Sequence, residues 1–210
     1  MKPDLAQHLR KVGATVSEVD RVLSSHKYPD DRRTVMVMGL LSTITDHHHS
    51  MLQLIKSGAT ASSYALARDI VKGMRYGLWI NRPATEEQIR RIEESIEESD
   101  EFPFSIPEMT KEIEAAYSTD PFFVNLKNRW APQLYKYTRS DIFQVGRWDV
   151  HSSPGLDVDD EVIRDVTTAA TICIVLLAAK FLAGHGHSTD CKQIEALAAD
   201  YANRGKASSA

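Results

Sequence analysis

Residues 166–183 read VTTAATICIVLLAAKFLA, with Lys180 as the single charge. As a helix this run would be about 27 Å long and apolar on every side. Such a segment must be surrounded, either by lipid or by other helices. Three threonines and Lys180 within it, with Arg164 and Asp165 just before it, favour the centre of a helical bundle. The chain is 210 residues long, 42% hydrophobic and 26% charged, enough to build one core around such a helix.

The rest of the chain is compatible with that demand. No stretch sustains the alternation of a β-strand, and helical periodicity dominates. We expect a short helix over 16–25, with Ser17 as N-cap, broken by Pro29. A long helix is expected over 32–57, ended by Gly58 in SGAT, and another over 60–81, stopping before RPAT. Residues 85–101, TEEQIRRIEESIEESDE, read as an acidic surface helix with a thin stripe of Ile89, Ile92 and Ile96. After a loop at Pro103, Ser105 caps a further helix with Pro107 in its first turn. A long helix over 157–184 and a last one over 189–203 follow, and GKASSA forms a disordered tail. The expected organisation is one helical domain over 1–204, with 85–118 as a peripheral acidic insertion.

A net charge of −4 carries no global signature of a nucleic-acid binder, although a local basic patch remains compatible with it. Two cysteines, Cys173 and Cys191, make no disulfide framework and fit a reducing compartment. The first residues show no apolar signal segment, so the expected location is cytoplasmic, with no membrane partner.

Three consecutive histidines, His47 to His49, fall on the first long helix. Successive residues diverge by about 100°, too far to ligate one metal from a regular helix. His48 projects into the face formed by Val37, Leu41, Ile44, Met51, Leu52 and Ile55. His47 lies at its edge and His49 on the far side. His48 is therefore a buried, hydrogen-bonded residue, or it lines a polar pocket where an imidazole titrates near neutrality. In the next helix the expected core face is Leu66, Ile70, Val71, Met74, Gly77 and Leu78, and Gly73 and Gly77 allow another helix to approach. Arg68 and Arg75, seven residues apart, share the boundary stripe of that face. Paired guanidinium groups suit carboxylate partners or a phosphate ligand.

Elsewhere, Lys127, Arg129, Trp130, Tyr135, Lys136, Tyr137 and Arg139 mix cations and aromatic rings, a composition that suits nucleic acid as well as an ordinary core margin. His185, His187 and Cys191 in GHGHSTDC include metal-ligand types but no fourth ligand in register, so no metal and no cofactor is expected.

The run DHHHSMLQLIKSGATASSYALARDIVKGMRYGLWI, with the later YTRSDIFQVGRW, resembles a group of uncharacterised bacterial all-α proteins. These show a His-rich stretch, then an SG…S..AL.R…E…RG.W pattern and a YTHGG..QV.RR segment. The group is similar to the HEPN superfamily, helical bundles of toxin and phage-defence systems that usually dimerise. Several HEPN members are metal-independent RNases. The resemblance implies an all-α, up-and-down, HEPN-like bundle and a homodimer. The sequence departs from the pattern where Thr138, Arg139, Ser140 and Asp141 replace Thr-His-Gly-Gly, and where Lys72 stands at an acidic position.

Two functional expectations follow. One is a HEPN-like binding module, non-catalytic or degenerate, in a bacterial defence or toxin–antitoxin setting. It would contact RNA, a nucleotide or a protein partner through His48, Arg68, Arg75, Tyr137, Arg139, Gln144 and Arg147. The other is a metal-independent endoribonuclease in which Arg147 holds the scissile phosphate and His151 moves a proton. A purely structural helical homodimer is the third possibility.

Overall fold

A computed structural model describes residues 2–98, 102–121, 123, 124, 128 and 159–204. Among these the chain is all-α: α1 Pro3–Ser24, α2 Arg32–Lys56, α3 Thr60–Asn81, α4 Glu86–Glu98, α5 Ile106–Ala116, α6 Asp160–Gly184 and α7 Ser188–Arg204. The helices pack on one another as a bundle.

The apolar run sits at the centre. Helix α6 contacts α1, α2, α3 and α7, and is buried from Val166 to Leu182 without a break. It is the one described helix long and apolar enough to cross a membrane, and 94% of its apolar window is buried inside the bundle. Its first turn is fixed by Asp159, whose side chain accepts from the Glu161 amide.

Lys180 is the one charge enclosed by that helix. Its Nζ donates to Asp120 Oδ2 at 2.6 Å and to Glu195 Oε1 at 2.9 Å. Burial alone would lower its pKa, but the two carboxylates outweigh burial and raise it.

Helix α1 corrects the expected helix over 16–25. It begins at Pro3, which suits a first turn because its missing N–H has no partner there anyway. Leu5, Leu9, Val12, Val16, Val19 and Leu23 recur at three and four residues and bury one face along the whole length. Gly13 sits within that face, close to Leu52 of α2. The other bounds differ from expectation by at most a few residues, the acidic helix ending at Glu98 and the central helix starting at Asp160.

The turn between α2 and α3 follows from Gly58. With φ of 85° it takes the left-handed conformation. Gly58 N then donates to Ile55 O and Ala59 N to Leu54 O, which closes α2 with paired bonds to its last carbonyls. Helices α2 and α3 return side by side as an antiparallel pair. At the far end of that pair the Arg33 guanidinium donates to Ile80 O and to Ala84 O, capping the end of α3.

The buried face of α3 is centred differently from the expected one. Ser63, Ala67, Ile70, Gly73 and Gly77 are enclosed, whereas Leu66, Val71 and Met74 are only partly buried. The two glycines let two different neighbours approach. A Cβ on Gly73 would collide with Ile44 of α2, and one on Gly77 with Leu177 of α6. Trp79 lies in the core, with Nε1 donating to Glu112 Oε2 of α5.

Candidate functional site

Histidines meet threonines along α6. Thr167 donates its hydroxyl to Ile163 O, and Thr171 donates to Thr167 O. Each hydroxyl oxygen is then left as an acceptor. His8 Nε2 of α1 lies 2.9 Å from Thr167 Oγ1, and His48 Nε2 of α2 lies 2.9 Å from Thr171 Oγ1. Hydrogen-bond accounting makes His48 Nε2 the protonated nitrogen. Its Nδ1 is buried and has no hydrogen-bond partner among the described residues.

His48 itself is 0% exposed and hydrogen-bonded to Thr171, as in the first of the two expectations, rather than a residue presented to a ligand. This corrects the expectation of titration near neutrality. Burial, and secondarily the nearby His49, push its pKa down to about 3. The imidazole is a neutral core group. His47 is partly buried and His49 exposed, as the helical wheel predicts.

Arg68 and Arg75 lie on α3, with Lys72 between them. Positions 68, 72 and 75 fall within about 60° of one another around the helix axis. Arg68 and Lys72 are exposed and Arg75 is partly buried. Among the described residues none of the three forms an ion pair, and Asp69 is the only acid on the helix. Lys72 Nζ lies 5.6 Å from the Tyr76 ring centroid, so an aromatic ring closes this end of the ridge. Arg75 acts electrostatically on Cys173 of α6, which places its charge near the bundle interior. Burial nevertheless pushes the Cys173 thiol up to about 12, and burial also raises that of Cys191. Neither thiol is an activated nucleophile.

Ion pairs form elsewhere on the surface. Arg90 pairs with Glu87 and Glu94 on α4, and Arg32 of α2 pairs with Glu93. Of the other arginines, Arg21, Arg32, Arg33 and Arg90 form ion pairs, whereas Arg82 and Arg91 lie over aromatic rings.

A second polar cluster forms where α1 ends, α2 begins and α6 turns into α7. Gly186, with φ of 81°, ends α6 by the same device as Gly58. Gly186 N donates to Ala183 O and His187 N to Leu182 O. The left-handed residue between them sends His185 and His187 different ways. His185 turns back, with Nδ1 2.9 Å from Phe181 O and Nε2 3.1 Å from Thr34 Oγ1. Thr34 belongs to the α2 cap, where Asp31 accepts from its amide. That amide bond, then the Thr34 hydroxyl and the nearby His185, holds the Asp31 pKa low against a partial burial that raises it.

His187 instead stacks on His26, with ring centroids 3.9 Å apart and planes 26° apart. His26 Nε2 lies 3.1 Å from Asp190 Oδ2. The ligand-type atoms of His26, His187 and Asp190 all lie within 4.8 Å of one another. Of the ligand-type residues in GHGHSTDC, His185 turns away, and His187 is joined by two residues that spacing alone did not connect. His26 lies 161 positions before His187, and only the packing of α1 against α6 and α7 brings them together.

Tyr137, Arg139, Gln144, Arg147 and His151 lie outside the described residues, as does the aromatic-basic segment around them except position 128. Neither the curated proteins nor the solved structures yield a match. The comparison with known families matches residues 41–206 to a family of unknown function, DUF6988; since this span covers most of the chain, the protein belongs to that family.

Proposed function

We propose that this chain is a HEPN-like helical binding module whose α3 ridge holds the phosphates of RNA or of a nucleotide. The observation that carries the reading is the set Arg68, Lys72 and Arg75, three cations on one stripe without a carboxylate partner among the described residues. A partly buried guanidinium loses hydration, and an anion is the group that compensates it. Arg68 and Arg75 are two turns apart, about 10 Å along the axis, so they suit successive phosphates better than one small anion. The bacterial defence or toxin–antitoxin setting is the one that the resemblance implies.

The test is fluorescence anisotropy of end-labelled single-stranded RNA, titrated at several salt concentrations with EDTA present. The expected result is binding that weakens steeply with salt. The double variant Arg68→Ala, Arg75→Ala should lose at least about tenfold in affinity. It should also flatten the slope of log K against log salt by about 0.7 for each phosphate no longer neutralised. Unchanged affinity and slope would remove the ridge from the reading. RNA cleavage in the same samples would instead support the ribonuclease that Arg147 and His151 suggest.

A further inference from the structure

We propose that His26, His187 and Asp190 form a site for one divalent transition-metal ion of the zinc class. The ion would join the turn after α1 to the turn between α6 and α7.

The ligand set is two imidazoles and one carboxylate, a combination that suits zinc and its first-row neighbours and disfavours calcium or magnesium. The distances are close to what an ion needs, and binding requires the two stacked rings to tilt so that both in-plane lone pairs meet the ion. Tetrahedral zinc with bonds of about 2.0–2.1 Å places neighbouring ligand atoms about 3.3 Å apart. His26 Nε2 and Asp190 Oδ2 are already 3.1 Å apart. The whole set lies within 4.8 Å, so the remaining closure is about 1.5 Å or less, within reach of side-chain rotation.

The local fold explains why these atoms converge. The amide of Cys191 donates to His187 O, which makes His187 the residue from which α7 starts. Asp190 lies three residues further on, one turn along, on the same side. His187 is oriented by two rings, the face of His26 and the edge of Tyr28, whose centroid is 6.0 Å away. Its ring nitrogens have no hydrogen-bond partner among the described residues. Arg21 acts electrostatically on Asp190 but is bound through two bonds, of 2.7 and 2.6 Å, to Glu18. His185 is excluded because both its ring nitrogens are engaged.

Three protein ligands leave a coordination position for water, in keeping with the partial exposure of all three residues. His26 precedes the span matched to the family, whereas His187 and Asp190 fall inside it.

The experiment uses tag-free full-length protein, stripped with chelator and titrated with cobalt(II) and, separately, with zinc(II). We expect one equivalent of cobalt to give the intense visible absorption of a four-coordinate ion. Zinc should displace it and raise the melting temperature by about 5 °C or more at a hundredfold excess over the dissociation constant. His187→Ala, and the near-isosteric Asp190→Asn, should each weaken binding at least about 100-fold while the far-ultraviolet spectrum is retained. His185→Ala should keep the one-equivalent cobalt spectrum. No saturable cobalt spectrum in the wild type would overturn the proposal. So would binding that survives both His187→Ala and Asp190→Asn.

Discussion

His48 and His187 are the same side chain in two opposite situations. His48 is enclosed between α2 and α6, gives its one proton to Thr171, and cannot charge until strongly acid pH. His187 stands at the rim, stacked on a second imidazole beside a carboxylate. The interior histidine is held by a single hydroxyl and is chemically silent. The rim histidine retains uncommitted ring nitrogens. Availability for chemistry is set by what surrounds an imidazole, not by how many histidines adjoin it in sequence. The HHH run contributes structure, and the more dispersed histidines converge.

The largest expected effect is the acid sensitivity that His48 imposes. Its folded pKa is depressed to about 3 from a value of 6.5. Below pH 6.5 the unfolded chain takes up a proton there that the folded chain refuses. Stability from this group is therefore complete above pH 6.5 and is lost as pH falls towards 3, by about 1.4 kcal/mol per pH unit. Between pH 7.5 and 5 the loss is about 2 kcal/mol. Urea unfolding at both values should show it. His48→Gln, which cannot charge, should flatten this part of the slope whatever it does to stability at neutral pH. An unchanged slope would show that the imidazole is hydrated in the fold.

Lys180 sharpens the contrast, because it is a core group that stays charged. Lys180→Met keeps the stem volume and leaves Asp120 and Glu195 facing each other without their cation. We expect a loss of about 2–3 kcal/mol, less than for a fully buried pair because the carboxylates are 24% and 28% exposed. Denaturant midpoints at neutral pH check this, and Asp120→Asn in the same background should recover part of the loss.

Close approach around α3 comes next. Gly77→Ala must displace Leu177, a side chain enclosed in α6, and should cost about 2 kcal/mol net of the gain in helix propensity. Gly73→Ala meets the Cγ2 methyl of Ile44 and should cost less. If the two were equal, α6 would not be the stiffer neighbour.

The interior was the more legible part of the sequence. A helical wheel on α2 places Val37, Leu41, Ile44 and His48 inside because large apolar residues repeat at helical spacing. The same reasoning misplaces the core face of α3, since Ser63, Ala67, Gly73 and Gly77 carry little apolar weight and are enclosed by close approach instead. It shortens α1 by overlooking Leu5, Leu9 and Val12 ahead of Gly13. Thr167 and Thr171 are visible as polar residues in an apolar run, but their histidine partners come from other helices. The rim cluster was hidden for a stronger reason. No local pattern links His26 to Asp190, and Gly186 parts the two histidines that spacing would have grouped. What could have signalled part of it is Gly186, which fixes where α6 ends and leaves His187 at the start of α7.

The smallest expected effect on stability is at the α3 ridge, and it tests the contrast from the other side. Arg68 is exposed and makes no ion pair among the described residues, so Arg68→Ala should change unfolding free energy by no more than about 0.5 kcal/mol. If the ridge binds phosphate, the same substitution weakens RNA binding and lowers its salt dependence. Interior variants such as Gly77→Ala should do the reverse, lowering stability while leaving affinity unchanged for the folded fraction. Unfolding curves and anisotropy titrations on the same preparations separate the two. An Arg68→Ala protein that is clearly destabilised would mean that its guanidinium packs on the fold, and the ridge would lose its claim to be a surface kept for a ligand.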